Sequence, residues 1–104
     1  MTKTLPAPVA AYFAAETPEA IADCFVENGI AVDEKHTHRG RDEIRRWREG
    51  VAKIRYTHEI LSVERDGDRV DVATRIAGDF PGSPVELGNT FTLDGDRIAR
   101  LEIA

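Results

Sequence analysis

The sequence predicts an α+β domain in which a curved antiparallel sheet, wrapped by three N-terminal helices, encloses an apolar pocket. Three observations predict it. Apolar residues recur at helical spacing up to Ile54. From Tyr56 onward the period changes to two. Two Asp-Gly pairs, Asp66-Gly67 and Asp94-Gly95, punctuate that second half as hairpin turns. A helical half followed by a strand-rich half is the α+β pattern. The 104 residues suit one domain, residues 1–104, with a pocket of modest size.

The first helix is expected over Pro8 to Glu16, where Val9, Tyr12, Phe13 and Glu16 fall at i, i+3, i+4 and i+7. Thr17-Pro18-Glu19 starts a second helix: Thr17 caps it, Pro18 suits its first position and Glu19 complements its dipole. Ile21, Cys24 and Phe25 supply its apolar face, and Asn28-Gly29 is read as its stop. Ile30 to Asp33 reads as a short strand, and the polar run Glu34 to Arg39 is expected to leave the sheet. Gly40 opens a third helix with Ile44, Trp47, Val51 and Ile54 inward and the arginines outward. Strands are expected at Tyr56–Arg65, across Val70 to Ile76, across Val85 to Leu93 and at Arg97–Ile103, paired as an antiparallel meander. Gly78 to Pro84 is a loop or bulged bend.

Composition narrows the function. The net charge of −5 argues against nucleic acid as a partner, because phosphate binding needs a basic surface. The cluster Arg39, Arg41, Arg45, Arg46 and Arg48 is interleaved with Asp42, Glu43 and Glu49 and reads as a solvated helix face, with an anion-binding face as the alternative. No apolar run approaches the length of a membrane span, and Met1 to Pro6 lacks a signal-peptide core. The single Cys24 fits a reducing cytoplasm and reads as a small buried hydrophobe, not a nucleophile. A homodimer through the sheet is expected, on the view that the convex face carries Val63, Ala73 and Leu101.

Three polar features interrupt apolar faces. Asn89 breaks the series Val85, Leu87, Phe91, Leu93; its amide is satisfied either by neighbouring core groups or by a ligand. Tyr12 lies on the stripe of the first helix, so its ring is buried and its hydroxyl needs a partner. Asp33 and Glu34 end the first strand on opposite faces, so one of them points inward, where apolar surroundings favour acid/base work. His36 and His38 flank Thr37 beside these carboxylates, but no third ligand is well placed, and no metal is expected. No Gly-rich phosphate loop, Cys-x-x-Cys pair or nucleophile elbow is present, and no cofactor is expected.

Four segments carry a resemblance across nearly the whole chain. Val9 to Ala15, Phe25 to Val32, Arg39 to Trp47 and Phe91 to Ile98 resemble the nuclear transport factor 2-like superfamily, in particular its SnoaL-like branch. That resemblance implies a cone-shaped sheet with a pocket, and a menu of functions that runs from ketosteroid isomerase and polyketide cyclase to non-catalytic binding domains. Set against ketosteroid isomerase, it implies Tyr12 and Asn89 as groups that polarise a substrate oxygen and Glu34, with Asp33 as rival, as the proton-moving base. Trp47, His58, Phe80 and Phe91 are the expected ligand contacts. His58 resembles the catalytic histidines of scytalone dehydratase. Arg69-Val70-Asp71 resembles part of limonene-epoxide hydrolase, but Ile103 stands where that enzyme needs a second aspartate. The expectation is cofactor-free isomerisation, cyclisation or dehydration of a small apolar carbonyl compound, or ligand and protein binding without turnover.

Overall fold

The computed structural model describes residues 4–104. Residues 1–3, part of the segment read above as lacking a signal-peptide core, lie outside it. Helices α1 (Ala7–Ala14) and α2 (Pro18–Asp23) precede strands β1 (Phe25–Asp33) and β2 (His36–Arg39), helix α3 (Gly40–Val51), and strands β3 (Tyr56–Asp66), β4 (Arg69–Gly78), β5 (Val85–Asp94) and β6 (Arg97–Ile103). The strands form one curved, unclosed sheet in the order β2-β1-β6-β5-β4-β3. Among the described residues, no helix is long and apolar enough to cross a membrane.

Local chemistry sets most of these boundaries. Thr17 caps α2 by accepting from the Ala20 N–H at 3.1 Å, with Pro18 and Glu19 in the first turn. The first helix ends two residues before Glu16, because Ala15 is already extended. At the start of α3, the Glu43 carboxylate accepts from the Arg39 N–H at 2.9 Å.

The passage from α2 to β1 differs from the sequence reading. Phe25 does not continue the helix. It is fully buried, starts β1 and pairs with Ile98 of β6. Asn28-Gly29 is therefore no helix stop but part of an irregular stretch of strand between Phe25 and Ile30. Gly29 is needed there, since a Cβ would stand 3.0 Å from the Phe25 side chain.

The polar run after Asp33 also stays in the sheet. Glu34 and Lys35 take positive φ values of 51° and 68°, as a tight two-residue hairpin demands, and His36 to Arg39 return as β2. Ile54 lies beyond the end of α3 and is 43% exposed, so it leaves the buried stripe to which the spacing assigns it.

From β3 to β6 the chain is the expected antiparallel meander. Beside it, β1 pairs parallel with β6. Two bulges shift the faces. One between Ile60 and Ser62 turns Val63 inward, and one opposite Thr92 and Leu93 brings both Ile98 and Leu101 inward. Leu101 is thus a core residue and Val63 packs against the core, and of the three residues on which the dimer expectation rests only Ala73 faces out.

The inner face of the sheet has two parts. Ala31, Leu101, Phe91 and Val70 form one cross-strand row, sealed by Val9, Ile44, Phe25 and Ile98 into a packed core. The next row is Asp33, Ile103, Asn89 and Val72. Beyond it a cavity opens between the sheet and helices α1 and α3.

Candidate functional site

The cavity has a volume of about 720 Å3 and a mainly apolar wall. The sheet lines it with Ile103, Leu87, Val85, Ile76 and Thr74; α1 gives Tyr12 and Phe13, and α3 gives Trp47, Arg48 and Val51. The loop after β4 adds Phe80 and Pro81. That volume is in the range of pockets that hold small organic molecules.

Asp33 ends β1 on the inner face, in register with Ile103 of β6. The Trp47 indole Nε1–H donates to its Oδ2 at 3.1 Å. The carboxylate is therefore aimed by α3 while it borders the cavity. Glu34 reaches the rim, but it sits in the hairpin turn and is exposed. Of the two acids, Asp33 has the position and the fixing bond.

Tyr12 is 6% exposed and packs edge-on against Phe91, with ring centres 5.4 Å apart. Burial pushes its phenol up to about 12; the Arg48 charge opposes the rise without cancelling it, and Tyr56 and Asp33 add to it. Tyr12 is therefore a neutral hydroxyl at any physiological pH. The Arg48 guanidinium donates to the Tyr12 oxygen at 3.3 Å and to the Tyr56 oxygen at 2.8 Å. Each phenol accepts from Arg48 and keeps its own proton to give.

Asn89 is 5% exposed and borders the cavity. Its amide nitrogen donates to the Val72 carbonyl and to the Thr74 hydroxyl, both at 3.0 Å. A backbone carbonyl only accepts, which fixes the amide orientation. Both N–H groups are spent inside the sheet. Asn89 therefore offers a ligand an acceptor, not the donor that the resemblance implies.

The remaining candidates separate. Trp47 and Phe80 line the cavity, and His58 stands at its exposed rim with its ring 5.4 Å from that of Phe13. Phe91 does not line it: fully buried in the packed row, it supports Tyr12 and Phe13 from behind. His38 stacks on Trp47, with ring centres 5.4 Å apart. Among the described residues, no three His, Cys, Asp or Glu side chains group as metal ligands. Asp71 pairs with Arg69 and Thr90 on the outer face, away from the cavity. Cys24 donates to the Ala20 carbonyl at 3.3 Å, and burial raises its thiol pKa.

Arg48 lines the cavity, although the sequence reading places it with the outward arginines and not among the candidate site residues. Yet Ile44, Trp47, Arg48 and Val51 fall at i, i+3, i+4 and i+7, the spacing of a single helix face. The helical register carried the signal, and the residue's charge masked it.

The structure is similar to known ones over its whole length. A candidate polyketide cyclase from Sinorhizobium meliloti shares 38% identity at a TM-score of 0.90, covering 96% of this chain and 95% of that one. A protein of ketosteroid isomerase-like fold from Catenulispora acidiphila, solved with trimethylamine, shares 23% identity at 0.85, covering 97% and 86%. The epoxide hydrolase/cyclase-like enzyme SalBIII of salinomycin pyran-ring formation shares 23% at 0.80, covering 92% and 85%. No functionally curated protein matches the sequence. Residues 9–101 match the SnoaL-like domain, and the chain belongs to that family.

Proposed function

We propose that this SnoaL-like protein binds a small, mainly apolar carbonyl compound in the cavity and moves a proton on it, as an isomerase or cyclase does. Asp33 removes a proton from the carbon next to the carbonyl. The electron pair of that C–H bond moves onto the carbonyl oxygen, which takes a hydrogen bond from the Tyr12 hydroxyl, and the proton returns at a second atom. The step is redox-neutral. One observation carries this reading: a carboxylate aimed by Trp47 and a phenol held neutral by burial border the same apolar cavity. The likeness to a candidate polyketide cyclase at 38% identity supports the reaction class.

The test is deuterium exchange at the carbon next to the carbonyl, followed by NMR in D2O over a panel of cyclic ketones and 1,3-diketones. The expected result is exchange above the buffer rate for part of the panel. Asp33→Asn should slow it by about 100-fold or more, the usual worth of a positioned base. Exchange that persists unchanged in Asp33→Asn, or wild type no faster than buffer on every compound, ends this reading.

Ligand binding without turnover is the second reading. The spent amide of Asn89 favours it, because the site then lacks one donor of the isomerase set. Under it, ligands change the fluorescence of Trp47, the single tryptophan, while exchange stays at the buffer rate.

A further inference from the structure

Among the described residues Arg48 has no ion-pair partner, although Glu16 shares the smaller cavity with it and Asp33 and Glu34 the larger. Its terminal nitrogens donate to two phenol oxygens, Tyr12 and Tyr56. Its Nε–H is buried and has no hydrogen-bond partner among the described residues. Among the described residues the ion pairs are Arg45–Glu49, Arg69–Asp71 and Arg100–Glu102, and none reaches Arg48. The carboxylate of Asp33 is bonded to Trp47 instead. Aromatic faces give partial compensation: the guanidinium carbon lies 5.0 Å from the Trp47 ring centre and 5.7 Å from that of Tyr12. Tyr12 cannot supply the negative charge, since its phenol stays neutral to about 12.

A partly buried guanidinium that meets only neutral groups is costly to keep unless an anion completes it. Its place says where the anion arrives. Arg48 and Tyr56 line both the main cavity and a smaller one of about 230 Å3 under α2, so the guanidinium stands at the seam of the two. The Tyr56 hydroxyl, oriented by Arg48, turns its O–H toward an incoming oxygen.

We infer that the ligand of this cavity carries a carboxylate, seated at Arg48 and Tyr56 while the Tyr12 hydroxyl is left to the carbonyl oxygen, with its apolar body against Leu87, Ile103 and Val85. The inference rests on the reading of the cavity as a ligand site and deepens it by naming the charged end of the molecule. It also makes Arg48 a specificity residue: the neutral amide or alcohol of the same shape leaves the guanidinium without its counter-charge.

The experiment compares 4-phenylbutanoate with 4-phenylbutanamide by calorimetry and Trp47 fluorescence at pH 7.5 and low salt. The carboxylate should bind about tenfold tighter or more, the worth of a charge-assisted hydrogen bond. Arg48→Met should reduce the preference below about twofold, and Arg48→Lys, which keeps the charge but not the fork, should retain part of it. On the wild type, lowering the pH until the probe's own carboxyl protonates should bring the two affinities together. Equal affinities for the wild type at pH 7.5, a preference intact in Arg48→Met, or a preference unchanged by protonating the probe each overturn the inference. The pH arm decides alone if Arg48→Met does not fold. Failure of both probes to bind overturns the inference together with the proposed function. A carboxylate preference without exchange on any ketone upholds the inference and overturns only the catalytic reading.

Discussion

Between the folded protein and the unfolded chain the Tyr12 phenol rises from 10.0 to about 12, through burial first. Over that window the unfolded state has released the proton and the native state still holds it. The unfolded state then binds fewer protons, so stability falls as pH rises from about 10 to about 12. The loss should be about 2–3 kcal/mol, from 1.36 kcal/mol per pKa unit. Urea denaturation at pH 9 and near pH 12 should show this extra loss in the wild type and not in Tyr12→Phe. Equal losses in the two proteins would contradict a buried, neutral Tyr12. Asn89 makes a second residue-scale case. Replacing it with Leu takes a bond from the Val72 carbonyl and another from the Thr74 hydroxyl, both inside the sheet. The expected cost is about 1–3 kcal/mol. A double-mutant cycle with Thr74→Val should show coupling by urea denaturation, whereas additive losses would mean that the bond carries nothing. The sequence exposes Asn89 as a polar break in an apolar alternation, so its position is legible. The chemistry it presents is not, because the partners that fix its amide lie on β4, 15 and 17 positions away in sequence.

Secondary-structure elements were legible where a local signal is strong and opaque where packing overrides it. Thr17-Pro18 and the Asp-Gly signals act within a few residues; the cap falls where the spacing puts it, and the turns fall one residue on, at Gly67-Asp68 and Gly95-Asp96. Phe25 fits a helical stripe equally well, and only its burial against Ile98 makes it a strand residue. Two glycines show how differently the elements use the same residue. A Cβ on Gly78 would lie 2.2 Å from the Arg55 carbonyl oxygen and 2.6 Å from the Tyr56 Cα, and neither is a flexible side-chain end. Gly78→Ala must therefore push the β3 backbone that positions Tyr56, and should cost more than about 2 kcal/mol. Gly50, inside α3, has nothing within 4 Å of such a Cβ. Gly50→Ala should stabilise by about 0.5–1 kcal/mol, through the lower backbone entropy of alanine in the unfolded chain. Thermal melts of the two variants should move in opposite directions. A fall for both would show that α3 is not a regular helix at position 50.

At the scale of the molecule, the meander was legible because each of its pairings crosses a short connection. The parallel pairing of β1 with β6 joins chain segments about 70 residues apart, and no local pattern announces it. That pairing places Asp33 beside Ile103 and so builds one wall of the site. The bulges at Ile60/Ser62 and Thr92/Leu93 are equally silent in the sequence, and they decide which residues fill the core. The result is a sheet whose inner face is packed at one end and open at the other, and the two ends should answer substitution differently. Phe91 is fully buried in the packed row and touches Tyr12 and Phe13. Phe91→Ala leaves a void and should cost about 3–5 kcal/mol. Leu87 is half-buried on the cavity wall, where a larger side chain has room to extend. Leu87→Phe should therefore change stability by less than about 1.5 kcal/mol, since it meets open space where a packed core would force strain. It should nevertheless weaken binding of 4-phenylbutanoate, because the added ring occupies the volume that the apolar body needs. Urea denaturation and calorimetry on the same preparation separate the two effects. If Leu87→Phe destabilises as a core overpacking does while binding is unchanged, then the space beyond Leu87 is not the ligand site, and the division of the sheet into a structural end and a functional end is wrong.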